Sequence, residues 1–200
     1  MLHSAALDTI EVTAPAASPW RTIWFSPRRT IRRIVDAEVR PTWWPVVALS
    51  AAGQAIGALA FDPDGSLSLN ASFMPVTIGI AQTIFGVLIG PFLLAFVGGW
   101  LGGDADPTDI RQAVVWGNVP FAVAAVGWIP LALWFKGSLS DPTAQIPLVV
   151  VPFMFALGGG ALWSVVTQIL ALAEVQQFSV WRAIASVVIL LIPMLLLGLL

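Results

Sequence analysis

With 200 residues, 58% of them hydrophobic and only 10% charged, the chain cannot cover itself with a water-soluble surface, since soluble domains carry roughly 25% charged residues. Its formal net charge of −2 excludes little, because in such a chain the placement of charge matters more than its sum. The absence of cysteine rules out disulfides, thiolate metal sites and thiol nucleophiles, and ten tryptophans with no tyrosine suit many helix ends at lipid headgroup level.

Residues 1–19 are small and polar, with Pro15, Ser18 and Pro19 and no hydrophobic period, and read as a flexible tail. No cleavable signal peptide is expected, because the first long apolar stretch begins near residue 41 behind a charged segment. The first span then serves as an uncleaved signal anchor.

Residues 20–40 form the next unit. Trp20, Ile23, Trp24 and Phe25 precede Ser26-Pro27, a helix start with serine as N-cap and proline in the first turn. Ile31, Ile34 and Val35 fall at helical spacing, while Arg28, Arg29, Arg32 and Arg33 occupy the other faces. The pattern predicts a short basic amphipathic helix lying in the headgroup plane, with its isoleucines in the interface.

Residues 41–200 contain uncharged stretches bounded by Arg40 and Asp62, Asp64 and Asp104, Arg111 and Lys136, Asp141 and Glu174, and Arg182 and the C-terminus. Each holds a helix of about 20 residues, enough for roughly 30 Å of hydrocarbon. The expected fold is therefore all-α: an integral membrane bundle of five transmembrane helices behind the amphipathic helix, with spans near 42–61, 73–101, 112–135, 146–173 and 183–200. Pro91 should kink the second span, and Pro120 or Pro130 the third, because each removes a backbone donor.

With the N-terminus in the cytoplasm, eight of the nine basic residues fall on that side, leaving only Lys136 opposite. That asymmetry fixes the orientation, and an odd span count puts the C-terminus outside. The expected location is a bacterial inner membrane.

No catalytic constellation is present. His3 is the only histidine and sits in the tail, so neither a serine–histidine pair nor a two-histidine metal site can form. No enzyme activity, cofactor, metal or nucleic-acid partner is expected. The pairs Gly53/Gly57, Gly98/Gly102 and Gly99/Gly103 predict close helix packing, within the chain or in a homodimer. Gln54, Gln82, Asn118 and Gln168 place one amide in each of the first four spans, either as interhelical hydrogen bonds or as a polar path. In the loop 104–109, Asp106 should cap a helix that starts at Pro107, with Asp109 at its positive end and Asp104 beside them.

Ser26-Pro27-Arg28 behind a tryptophan-containing segment, Trp100-Leu101-Gly102-Gly103-Asp104 after a glycine-rich span end, and the run from Ala113 to Pro120 together form an order of segments that resembles the Yip domain family. The run from Leu172 to Ala183 resembles the bacterial branch. The resemblance covers roughly 20–200 and implies five spans with a cytoplasmic N-terminus. In eukaryotes the family is linked to vesicle traffic and to small GTPases of the Rab class; the chain, lacking tyrosine, departs from that branch's tyrosine-containing signatures.

The function expected from these features is that of a non-enzymatic adaptor or membrane organiser. Its cytoplasmic face would combine Trp24, Arg28, Arg29, Arg32, Arg33, Asp104, Asp106, Asp109, Glu174 and Arg182. Its partners would be the bilayer, anionic lipid, and a membrane or cytoplasmic protein or a second copy. The alternative is a small-solute transporter or channel, acting as an oligomer and lined by the four amides.

Overall fold

The computed structural model describes residues 18–60, 69–135, 145 and 147–198, and these form helices and turns without a strand. Most of the expected tail, including His3, and the loop that carries Lys136 lie outside the described residues.

The chain enters through α1 (Pro19–Thr22) and α2 (Pro27–Val35). Pro19, read from sequence as tail, is the first residue of α1, because its fixed φ suits a first helical turn. Ser26 occupies the N-cap position of α2 and Pro27 follows, although the serine side chain makes no capping bond. Then come α3 (Trp44–Ala60), α4 (Leu69–Leu88) and α5 (Gly90–Trp100). The α4–α5 pair bends by 45°, where Pro91, at the start of α5, cannot donate to Val87.

The next stretch is α6 (Pro107–Gly117), α7 (Val119–Ala124), a 3₁₀ turn (Ala125–Gly127) and α8 (Trp128–Trp134), together one nearly continuous rod of 28 residues. It starts five residues before the sequence reading of 112, because Asp106 and Pro107 initiate the helix ahead of its apolar part. Its irregularities at Asn118 and 125–127 fall just before Pro120 and Pro130, each of which leaves a carbonyl one turn back without its donor. The last elements are α9 (Val150–Val175) and α10 (Val180–Gly198).

Among the described residues two helices are long and apolar enough to cross a membrane, Pro107–Trp134 and Val150–Val175, and three if the bent pair is one span. The outer surface matches. Phe155 and Leu162 are 77% and 69% exposed on α9, and Phe92 and Phe96 on α5 also point outward. Buried serine, threonine and glutamine lie inside. Apolar outside with hydroxyls and amides inside is the arrangement lipid imposes, because hydrocarbon solvates no polar group.

The α1–α2 segment runs alongside α9 instead of lying apart from the bundle. Trp163 Nε1 donates to the Trp24 carbonyl at 3.1 Å, and Arg32 binds Glu174; these ties lie about 16 Å apart along α9. Ile31 and Ile34 are 0% and 2% exposed, in a core with Ile23, Ala113, Trp116 and Ala171. Trp20 meets the Trp116 ring edge-on at 5.7 Å. The isoleucines expected in the lipid interface are thus covered by protein, because α6 and α9 present an apolar end that α2 closes.

Candidate functional site

Two regions collect the polar side chains. At the α2 end of the bundle, three segments far apart in sequence meet around a cavity of about 140 Å³: Arg32 and Asp36 from α2 and its C-cap, Asp104 from the α5–α6 connection with Asp109 from the first turn of α6, and Glu174 and Gln177 from the end of α9 and the turn after it. Arg32 Nε and Nη2 donate to Glu174 Oε1 at 2.9 and 2.5 Å, and that hydrogen bond raises the guanidinium above its ordinary pKa. Arg40, overlooked as a site residue, reaches Asp109 Oδ1 at 2.6 Å. Two of the acids expected to face a partner are therefore neutralised within the chain.

Asp106 caps α6 as its sequence position requires. Its carboxylate accepts from the Thr108 hydroxyl and backbone N–H, both at 2.7 Å, and these two bonds hold its pKa below the ordinary aspartate value. Asp104 and Arg182 are exposed. Arg28, Arg29 and Arg33 are exposed, as is Arg21, and none of the four forms an ion pair with a described residue. Trp24 is partly buried and takes part through its carbonyl. The net result is an internally paired centre with an exposed basic flank.

The glycines shape this end. Gly102 has φ +85°, and Gly103 N–H donates to the Gly98 carbonyl at 2.8 Å while Gly102 N–H donates to Gly99. This closes α5 in a Schellman turn. Gln176, 2% exposed, donates through Nε2 to the Leu94 carbonyl at 3.1 Å, and a Cβ on either Gly98 or Gly103 would collide with its amide. The glycine-rich segment and the Glu174–Gln177 segment, two parts of the family resemblance, are thus two halves of one joint. Gly99 faces open space, whereas a Cβ on Gly53 would collide with Ala125 and one on Gly57 would press on the Trp128 ring at 3.1 Å.

The second region lies within the bundle. Gln54, Gln82, Asn118 and Gln168 all line one cavity of about 220 Å³, together with Ser50 and Thr83. Asn118 Nδ2 donates to Ser50 Oγ at 3.0 Å, and Ser164 Oγ and Gln168 Nε2 donate to Asn118 Oδ1 at 3.0 and 3.3 Å. Thr167 Oγ1 donates to the Gly117 carbonyl at 2.6 Å, and Gln54 Nε2 donates to Thr83 Oγ1 at 2.7 Å. Gln82 makes no side-chain hydrogen bond to a described residue and is exposed. Three amides therefore join helices, and all four share a cavity. The hydroxyls were missed in the sequence, although Ser164, Thr167 and Gln168 form a polar stripe at helical spacing in an otherwise apolar α9.

Gln54, Asn118 and Gln168 lie roughly 10–16 Å along their helices from the end that carries α2. Their chemistry there is neutral: amide and hydroxyl donors and acceptors, with no acid or base for proton transfer.

The model of the Yip1 domain family matches residues 20–200 of the chain. No curated protein and no solved structure matches it.

Proposed function

This chain belongs to the Yip1 domain family, and from that premise we propose a non-enzymatic membrane adaptor or organiser with five spans, its N-terminus cytoplasmic and its C-terminus outside. The spans are α3, the bent α4–α5 pair, the α6–α8 rod, α9 and α10. The observation that carries the reading is the meeting of α2, the start of α6 and the α9–α10 turn at one end of the bundle, with Arg21, Arg28, Arg29 and Arg33 on its flank, none of them ion-paired to a described residue. Internal ion pairs tie these segments together, and the four exposed arginines supply attraction for an acidic protein or anionic lipid. The test is sidedness in intact cells, for which a chain without cysteine is convenient. Ser66→Cys should react with an impermeant thiol reagent and Thr108→Cys should not; the reverse pattern would take the basic face off the cytoplasmic side and end this reading.

A second reading, passage of a small neutral solute, is favoured by the shared cavity of the four amides. Its test is flux in reconstituted vesicles. A specific flux lost in Gln82→Leu would support it, and vesicles as tight as protein-free ones would dismiss it.

A further inference from the structure

Two grooves on the outer surface adjoin at one side chain. The first, of about 410 Å³, is lined by Arg21, Thr22, Phe25, Ser26, Arg29 and Arg33. None of its three guanidinium groups is ion-paired to a described residue. The second, of about 530 Å³, is apolar and runs between α7 and α9 past Trp24, Phe25, Ala124, Ala156, Gly159 and Trp163. Phe25 belongs to both grooves and is 90% exposed.

Their order along α9 is informative. The hydrogen bond from Trp163 to the Trp24 carbonyl fixes the rim. From there the apolar groove continues past Gly159 to Ala156, roughly 10 Å along the helix and away from Glu174. Arg29 and Arg33 lie the other way, on the helix that leads from Phe25 to the Arg32–Glu174 tie. Cationic, then aromatic, then apolar, along a helix long enough to span the membrane, is the polarity profile that one phospholipid leaflet presents.

The hollow exists because of a glycine. A Cβ on Gly159 would meet nothing within 4 Å, whereas one on Gly160 would strike Ala124. Gly160 is therefore explained by packing against α7, and Gly159 leaves space that no part of the described chain fills. An acidic peptide would satisfy the arginines but make no use of the apolar half. A neutral lipid would fill the apolar half and leave the arginines without an anion.

We propose that the two grooves form one site for an anionic phospholipid, its phosphate held by Arg21, Arg29 and Arg33 and one acyl chain lying over Phe25 along Gly159 and Ala156. This deepens the reading above and rests on it only for the leaflet from which the lipid is drawn.

The test uses the full chain in uncharged detergent micelles, titrated with dioleoyl phosphatidylglycerol, with phosphatidylcholine of the same chains, and with inorganic phosphate, and native mass spectrometry counts retained lipid. Phosphatidylglycerol should be retained over phosphatidylcholine. The triple change Arg21→Gln, Arg29→Gln and Arg33→Gln should weaken its binding about a hundredfold at low salt, roughly fivefold per arginine, and less as salt is added. Arg111→Gln, on α6 and outside both grooves, should leave binding within about twofold. Gly159→Leu should weaken binding with every arginine in place. Equal retention of the two lipids, equal loss in Arg111→Gln and the triple variant, undiminished binding in Gly159→Leu, or displacement of the lipid by phosphate at the same concentration would each overturn the proposal. Micelles have no sides, so failure here is separable from failure of the orientation, which the cysteine experiment reads alone.

Discussion

The crossing of α6 and α9 at Gly117 permits a quantitative prediction. A Cβ on Gly117 would lie 2.7 Å from Gln168 Cγ and 2.8 Å from its Cα. The second of these atoms is backbone and cannot turn away. Restoring an ordinary contact of at least 3.4 Å requires α9 to retreat by about 0.6 Å. That retreat stretches the Ser164 Oγ to Gly117 carbonyl bond, now 3.1 Å, beyond about 3.5 Å, where it no longer counts as a hydrogen bond. The bond from Thr167, at 2.6 Å, survives with some lengthening. Overpacking costs about 1–3 kcal/mol and one interhelical hydrogen bond about 0.6–1.7 kcal/mol, so Gly117→Ala should destabilise the protein by about 2–4 kcal/mol. Reversible unfolding in mild detergent measures this. Gly158→Ala is the control, because its Cβ meets nothing within 4 Å and a mid-helix alanine gains roughly 0.5–1 kcal/mol over glycine. A Gly117→Ala protein within about 0.5 kcal/mol of wild type, or a Gly158→Ala protein equally damaged, would refute the reasoning.

Three further outcomes are expected. Gly103→Ala should destabilise by about 1–3 kcal/mol through collision with the Gln176 amide, and Gln176→Ala in the same chain should recover part of the loss; purely additive losses in a double-mutant cycle would remove Gln176 as the cause. Gln177 sits at φ 53° in the turn that ends α9, so Gln177→Gly should stabilise by about 1 kcal/mol; an unchanged melting temperature would show that the side chain contributes there in some other way. The Asp106 carboxyl is held below its ordinary pKa by Thr108, so its contribution is complete above the unfolded-state aspartate pKa and is lost as the pH falls through the lower folded-state value. Asp106→Ala should therefore weaken the protein at neutral pH and flatten the acid end of its stability curve, and a parallel acid limb in wild type and variant would contradict the cap.

Local rules made part of this molecule legible in its sequence. The start of α6 at Asp106-Pro107 follows from a cap and a ring with no N–H to lose. The 45° bend ahead of Pro91 follows from a missing donor, and the apolar stretches follow from what hydrocarbon excludes. Each depends on neighbours within one helical turn or on the run length of a single helix.

What the tertiary structure alone decided concerns which surface covers which. Ile31 and Ile34 have the spacing of a face that could enter lipid, yet α6 and α9 bury them. Arg32 looks like its neighbours Arg28, Arg29 and Arg33 in sequence, yet among the described residues it alone of the four meets a carboxylate, 142 residues away on α9. Gly98/Gly102 and Gly99/Gly103 look like helix-packing pairs, yet Gly98 and Gly103 accommodate one glutamine amide from the end of α9. The four amides, each on a different segment of the chain, could have been scattered, yet they line a single cavity. The physical reason is common to all of these. In water, an apolar face must be turned inward, so periodicity points to the core; in a bilayer, lipid chains and neighbouring helices are equally apolar, and only the packed structure tells a buried face from a lipid-facing one.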